Sequence, residues 1–450
     1  MHLILLSGGS GKRLWPLSND IRSKQFIKIF KREDGSYESM VQRVYRQIRA
    51  VDPAATVTIA TSKSQVSAIH NQLGEQVAVC VEPCRRDTFP AIALASAYLR
   101  DVQRVKKEEP VVVCPVDPYV EESYFQALKD LSQLAGENRA NLSLMGIEPT
   151  YPSEKYGYIL PESGEKVSPV ETFREKPDAA TAEKYIQQGA LWNGGVFAFR
   201  LEYLLEIAKQ ELGTANYEEL FRQYAQLPKI SFDYAVAEQE KKIQVLRFRG
   251  QWKDLGTWNT LTEAMEETAI GDARLNETCE NVHVINEMGV PILCMGLKDV
   301  VVAASPEGIL VSYKPQSSYI KPFVDVIDQE VMFAEKSWGS YRVLDVEEDS
   351  LTIKVTLLPG HRMHYHSHQH RDETWTVVSG TGVAVIDDAE IPVHPGTMLR
   401  LPMGSRHCLI ADTELVVIEV QMGKEISVTD KIKYLLEYSV DLPRREGEVD

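Results

Sequence analysis

Short apolar runs alternate with helical periodicity through the first third of the chain. Leu3–Leu6 is continuously apolar and reads as a strand buried on both faces. Segments 56–61 (TVTIAT), 77–83 (VAVCVEP) and 110–117 (PVVVCPVD) repeat that pattern, and 91–105 carries an apolar face at helical spacing. Strand–helix alternation predicts an α/β domain whose parallel sheet is covered by helices on both faces, with ligands gathering at the carboxyl ends of the strands. From Asn276 to about Phe323 the pattern breaks into short apolar pieces (VHVI, VPILCMG, VVVAAS, GILVSY) without helical periodicity, which predicts a small all-β connector. No repeat of solenoid period is present.

The first strand opens directly into Ser7-Gly8-Gly9-Ser10-Gly11-Lys12-Arg13. Glycines admit a ligand close to the backbone, successive N–H groups form an anion nest, and the adjacent cations suit phosphate. The loop is not a Walker A motif, because Leu6 stands at the first glycine and Arg13 at the Ser/Thr position. Against G-x-G-x-x-G it matches at Gly9 and Gly11 and has Leu14 third. On glycines alone, a phosphate loop and a plain strand-to-helix turn are equally good readings. Likewise Asp117, at the end of an apolar strand, reads on its own as a cap or turn residue before it reads as a metal ligand.

The chain has 450 residues, enough for two or three domains, with 44% hydrophobic and 25% charged residues, as in a globular protein. A net charge of −16 argues against a nucleic-acid or anionic-membrane partner. No apolar run spans a bilayer, and Met1–Leu6 lacks the make-up of a signal peptide, so a cytoplasmic protein is expected. Six cysteines at 80, 84, 114, 279, 294 and 408 are scattered without C-x-x-C and read as reduced thiols.

A collinear series of motifs changes the weight of these features. SGGSGKRLWPLS with SKQF, EPCRRDTFPAI (82–92), CPVDPYV around Asp117, EKYGYI (154–159), FREKPD (173–178), LWNGGVFAF (191–199), ISFDYAVAE (230–238) and WKDLGTW (252–258) together resemble the sugar-1-phosphate nucleotidyltransferases, specifically GDP-mannose pyrophosphorylases. The chain departs from the family at Lys12 (usually Thr), Asp87 (Asn), Pro118 (His) and Gly194 (Ser). The resemblance implies a Rossmann-like, GT-A-like mixed sheet over 1–268 and a β-helix-like connector over 269–325. It further implies that Leu6, Ser7, Gly8, Gly9, Gly11, Lys12, Glu82, Arg85, Asp87 and Thr88 bind the nucleotide, and Gly157, Glu175, Lys176 and Asn193 the sugar. Arg13, Lys24 and Asp117 are then catalytic, and Asp117 with Asp254 holds Mg2+. GTP and mannose 1-phosphate are the implied substrates and a homodimer the implied assembly. A nucleotidyltransferase for another sugar 1-phosphate, and a non-catalytic sugar-nucleotide sensor, are the competing readings.

Seven of the ten histidines fall between His361 and His407. Gly360, His366, His368, Glu373 and Gly380 fit G-x5-H-x-H-x4-E-x6-G, and Gly396, Pro402, Gly404 and His407 fit G-x5-P-x-G-x2-H. These are the two cupin motifs. Residues two apart on a strand share a face, so His366 and His368 can share a metal with Glu373 and His407. Such a donor set suits Zn2+ or another divalent transition metal. Residues 326–450 thus resemble a cupin β-barrel of the type II mannose-6-phosphate isomerase kind. That resemblance leaves two readings open: a second, isomerase activity with Arg371, Asp372 and Glu390 as acid/base candidates, or a metal-binding cupin that regulates, binds sugar phosphate or builds the oligomer. His366, Asp372, Thr374 and Lys433 depart from the residues usual there.

Overall fold

The computed structural model describes residues 1–9, 12–19, 21–327, 329–424, 426–427 and 430–435. Contact density divides the chain into two compact units. One comprises Met1–Ile285, Ile292–Val302 and Val311–Val326. The other comprises Asn286–Pro291, Ala303–Leu310 and Ile327–Asp450.

In the first unit, strand His2–Ser7 lies inside a nine-stranded sheet, with Leu3, Ile4 and Leu5 fully buried. The order is Ala78–Glu82, Thr56–Ser62, His2–Ser7, Pro110–Pro115, Leu191–Arg200, Leu142–Ile147, Ile243–Phe248, Val167–Arg174, Tyr158–Pro161. The strands flanking His2–Ser7 run parallel to it, His2 pairing with Thr56 on one side and Val111 on the other. Strand Leu191–Arg200 then enters antiparallel to both Pro110–Pro115 and Leu142–Ile147. The sheet is therefore mixed, which the strand–helix alternation alone did not predict.

The buried helix begins three residues earlier than its apolar pattern and ends at Asp101, spanning Thr88–Asp101 with Asp87 as its cap. Its alanines at 91, 93, 95 and 97 let it lie against the sheet on one side and helices Leu201–Leu212 and Tyr217–Gln223 on the other. Helix Glu122–Gly136 packs against strand Pro110–Pro115. A two-stranded ribbon sits beyond the carboxyl end of that strand: Trp252–Asp254 pairs antiparallel with Pro118–Val120, setting Asp254 opposite Pro118. Two carboxylates 137 positions apart, Asp117 and Asp254, thereby become neighbours. After Thr268, short strands stack in parallel, Ala269–Ile270 on His283–Asn286 and Ala273–Leu275 on Ile292–Cys294.

The second unit is a β-sandwich of a six-stranded and a five-stranded sheet. Strand Ser350–Leu357 is central to the first, between Gly339–Glu347 and Leu415–Met422, and Leu415–Met422 also pairs with Asp372–Ser379. The second carries His366–Ser367 beside His407–Ala411, with His366 opposite His407. Trp375, Val377, Ala384, Leu409 and Val417 fill the space between. The motif glycine at 380 has φ +84°, and a Cβ there would lie 2.0 Å from the Glu414 carbonyl oxygen, so the turn admits glycine only. No helix among the described residues is long and apolar enough to cross a membrane.

Candidate active site and candidate metal centre

The loop leaving the first strand is held by a buried polar network. The Ser7 hydroxyl accepts from Gln25 Nε2 at 2.9 Å and donates to Gln65 Oε1 at 3.3 Å, while Thr61 Oγ1 donates to the Ser7 carbonyl at 3.1 Å. Gln65 Nε2 donates to Ser23 Oγ at 2.7 Å, and Ser23 Oγ to the Gly9 carbonyl at 2.8 Å. All five side chains are essentially solvent-free. A fully satisfied network in a low dielectric enforces one arrangement, and here it turns the Ser7 and Gly9 carbonyls inward. Leu6 packs into the core and reaches the loop through its backbone. Gly11 lies outside the described residues. Lys12 Nζ approaches Asp325 at 3.7 Å, so this departure from the family pattern is engaged by an acidic partner. Arg13 is exposed.

Glu82 ends its strand beside the loop, since a Cβ on Gly8 would lie 3.8 Å from its carboxylate. Burial pushes the Glu82 carboxyl up, against the Tyr224 hydroxyl donating at 2.7 Å and the charge of Arg85. Arg85 itself is exposed. Asp87 accepts from the Thr88 N–H at 2.8 Å as the helix cap, and Thr88 Oγ1 accepts from the Phe232 N–H at 2.8 Å. Both side chains thus order the segment as well as border it.

Lys24 is the hub of the cluster. Its Nζ lies 2.8 Å from Asp117 and 3.5 Å from Asp254. Burial alone would lower the lysine, but the two carboxylates outweigh it and hold it above its ordinary value. The carboxylates lie within reach of one cation, and their hard oxygens are the donor type Mg2+ requires. The pair therefore fits the ion.

Across the sheet ends, four further residues converge. Gly157 accepts through its carbonyl from the Asn193 N–H at 2.8 Å, and a Cβ at Gly157 would lie 2.5 Å from Glu175 Oε2. Glu175 Oε1 binds Lys176 Nζ at 2.6 Å; Oε2 is buried without a hydrogen-bond partner among the described residues. Asn193 Oδ1 accepts from the Gly195 N–H at 3.1 Å, and its Nδ2 donates to Asp233 Oδ1 at 2.6 Å. Tyr156, Trp192 and Trp252 form an aromatic wall, with Tyr156 ring centroids 5.0 and 5.5 Å from the two tryptophans.

Asp233 is the residue missed by sequence reasoning. It lies inside the ISFDYAVAE motif, but nothing in that motif sets its carboxyl apart from a surface acid. Burial, then the charge of Glu175, pushes it up to about 6 from 3.8. A carboxyl raised in the folded state stabilises least when ionised: its contribution is favourable at low pH and is lost as pH climbs from about 4 to about 6. Asp233→Asn is therefore expected to raise stability at pH 8 by about 1–3 kcal/mol and to change it little at pH 4. Chemical denaturation at both pH values checks this; an equal shift at both would refute it.

The second unit gathers His366, His368 and His407, whose ligand atoms lie within 4.8 Å of one another. Each ring is pinned through Nδ1 to a backbone carbonyl, those of His364 (2.6 Å), Asp430 and Ser405 (3.0 Å) respectively. This fixes the tautomer and leaves Nε2 as a lone-pair donor. His407 Nε2 is buried and lacks a hydrogen-bond partner among the described residues. Glu373 lies 3.0 Å from His368 Nε2 and 3.4 Å from His407 Nε2. Three imidazoles and a carboxylate so arranged fit a divalent transition metal. Beside them is a cavity of about 670 Å³ lined by Lys336, Trp338, Arg371, Glu419, Gln421 and Lys431, among others. Burial pushes Glu419 up to about 8 and pulls Lys431 down to about 8. Of the acid/base candidates read from sequence, Arg371 reaches the cavity. Asp372 instead accepts from the Met403 N–H at 2.8 Å, and Glu390 is exposed on the outer strand Ala389–Val393.

With this geometry in view, the sequence matches the nucleotidyl transferase family over residues 2–270 and the mannose-6-phosphate isomerase C-terminal family over residues 327–435. The chain belongs to the nucleotidyl transferase family. A xanthan biosynthesis protein, XanB, of Xanthomonas campestris pv. campestris (strain B100) is 30% identical, over 96% of this chain and 97% of its own. A mannose-1-phosphate guanylyltransferase of Escherichia coli (strain K12) is 27% identical, over 97% and 98%. A solved structure described as mannose-1-phosphate geranyltransferase from Thermus thermophilus is 28% identical, covering 73% of this chain and 99% of that one at a TM-score of 0.62.

Proposed function

We propose that the chain transfers GMP from GTP to α-D-mannose 1-phosphate, giving GDP-mannose and pyrophosphate. The observation that carries this reading is the Lys24–Asp117–Asp254 cluster beside the glycine loop. Full-length likeness to guanylyltransferases supports the choice of base and sugar. A phosphate oxygen of the sugar attacks the α-phosphorus in line; the bond to the β-phosphate oxygen breaks and its electron pair leaves on pyrophosphate. The protein acts by placement and charge. The Ser7–Gly9 backbone and Arg13 hold the β- and γ-phosphates. Glu82, Arg85, Asp87 and Thr88 border the base, and Glu175, Asn193 and Lys176 orient the sugar and its phosphate. Asp117 and Asp254 would hold Mg2+, which when bound would supply charge neutralisation, and Lys24 is paired with the same two carboxylates.

Pyrophosphate release across a grid of nucleoside triphosphates and sugar 1-phosphates tests this. GTP with mannose 1-phosphate is expected to be preferred, and a preferred pair with another base or sugar would overturn it. Arg13→Ala is expected to lower kcat by about 10²-fold with little effect on mannose 1-phosphate KM. An unchanged kcat would remove Arg13 from the leaving-group site.

The pinned histidine triad and its cavity favour a second reading for residues 327–435: interconversion of mannose 6-phosphate and fructose 6-phosphate. The two activities together would make sugar phosphate and sugar nucleotide on one chain.

A further inference from the structure

We infer that Glu419 and Lys431 are the proton-transfer pair of the second unit's cavity, acting on the C1–C2 unit of an aldose or ketose phosphate. This rests on the isomerase reading above.

The placement of Glu419 is the first ground. Strand Leu415–Met422 pairs with Asp372–Ser379 so that Gln421 stands opposite Glu373 and Glu419 opposite Trp375. Alternate residues share a face, so Glu419 projects on the same side as Gln421, next along from the Glu373 end of the strand. It is 6% exposed and borders the cavity that His366 and His368 also border. Its only side-chain hydrogen-bond partner among the described residues is Gln421 Nε2, at 2.5 Å. No lysine or arginine among them lies within ion-pair distance of it. An acid buried without a cation is a cost to the fold, which a role in chemistry explains.

The neighbours are otherwise engaged. Glu373 is held by Arg371 Nε at 2.9 Å and by His368 and His407. Arg371 also donates to the Ser427 carbonyl at 2.9 Å. Asp372 and Glu390 are turned elsewhere, as described above. Lys431 lines the same cavity, and the charges of Glu419 and Glu373 both act on it. Lys336 supplies a further cation on the wall, suited to the remote phosphate.

The proton balance closes with these two groups. Glu419 as carboxylate takes the C2 proton of the open-chain aldose; the C2–H electron pair becomes the second C1–C2 bond. The carbonyl pair moves onto O1, which takes a proton from the Lys431 ammonium. In the return half, O2–H gives its proton to Lys431, C2=O2 forms, and C1 takes the proton from Glu419. Both groups end as they began, and no oxidant or reductant enters.

The test uses the full chain supplied with Mn2+, Co2+, Ni2+ or Zn2+ and mannose 6-phosphate in D2O. Turnover, deuterium entry into carbon-bound positions, bound metal and mannose 6-phosphate affinity are measured. The unaltered chain is expected to isomerise and to show deuterium entry. Glu419→Gln is expected to lower turnover and deuterium entry by about 10³-fold, with metal stoichiometry unchanged and affinity within about threefold. Lys431→Met is expected to lower turnover by about 10²-fold. Turnover of Glu419→Gln within about tenfold of the unaltered chain overturns the pair while leaving the isomerase reading intact. Loss of metal or of sugar phosphate binding in that variant makes Glu419 structural and overturns it too. Absence of isomerisation by the unaltered chain with every metal overturns the reading and the pair together.

Discussion

Asp117→Asn is expected to reduce the rate of pyrophosphate release from GTP by about 10²–10³-fold, the scale of losing one charge partner from a preorganised transition state. The half-saturating Mg2+ concentration should rise with it, because one of two hard oxygen donors becomes a neutral amide. Stability should hold. Lys24 sits 2.8 Å from Asp117 and 3.5 Å from Asp254, so the single variant leaves the buried ammonium one carboxylate. The double variant Asp117→Asn with Asp254→Asn leaves it none, and an unpaired buried charge costs roughly 3–5 kcal/mol. Stopped-time pyrophosphate assays over a Mg2+ series, with thermal melts of both single variants and the double, separate the two effects. A single variant that keeps full turnover would take Asp117 out of the reaction. One that melts like the double variant would make it a structural partner of Lys24 only.

Only Asp117 of this cluster follows an apolar strand; Lys24 and Asp254 were legible through the resemblance of their motifs, and they sit on a 3-10 turn and the short strand Trp252–Asp254. Leu3–Leu6 and 110–117 announce buried strands, and whatever follows them lies at one edge of the sheet. The His366-x-His368 spacing was legible for the same reason, since strand parity fixes which side chains share a face. What stayed hidden depends on tertiary pairing. Ser23, Gln25, Thr61 and Gln65 are ordinary polar residues until the sheet brings them around Ser7 and Gly9. Lys12 stood out, but its partner Asp325 is 313 residues away and no local pattern joins them. The antiparallel entry of strand Leu191–Arg200 leaves no trace in periodicity, because a strand buried on both faces reads alike in either direction. Glu419 did leave a signal. In LVVIEVQM it occupies the inward parity shared by Leu415, Val417 and Gln421, where a charged residue is out of place unless it has work to do.

Gly157→Ala is expected to raise the KM for mannose 1-phosphate by about 10–100-fold while leaving GTP affinity unchanged. The backbone does not oppose the change, since Gly157 is absent from the positive-φ glycines. The space does. The new methyl would stand 2.5 Å from Glu175 Oε2 and 3.3 Å from both Asn193 Cβ and Phe173 Cζ. Glu175 has little room to yield, being 7% exposed and tied to Lys176 Nζ at 2.6 Å. Its Oε2 is the buried acceptor without a partner among the described residues, the atom a sugar hydroxyl would satisfy. Displacing it forfeits charge-assisted hydrogen bonds worth about 1.5–3 kcal/mol, hence the one to two decades in affinity. Glu175→Gln should move KM in the same direction by removing the charge instead of the position. Gly9→Ala provides the steric contrast, because nothing among the described residues lies within 4 Å of its added carbon. Steady-state kinetics with each substrate varied in turn, and calorimetric titration of GTP, distinguish these cases. An unchanged mannose 1-phosphate KM in both Gly157→Ala and Glu175→Gln would place the sugar elsewhere, and equal losses for GTP would make Gly157 a general packing residue.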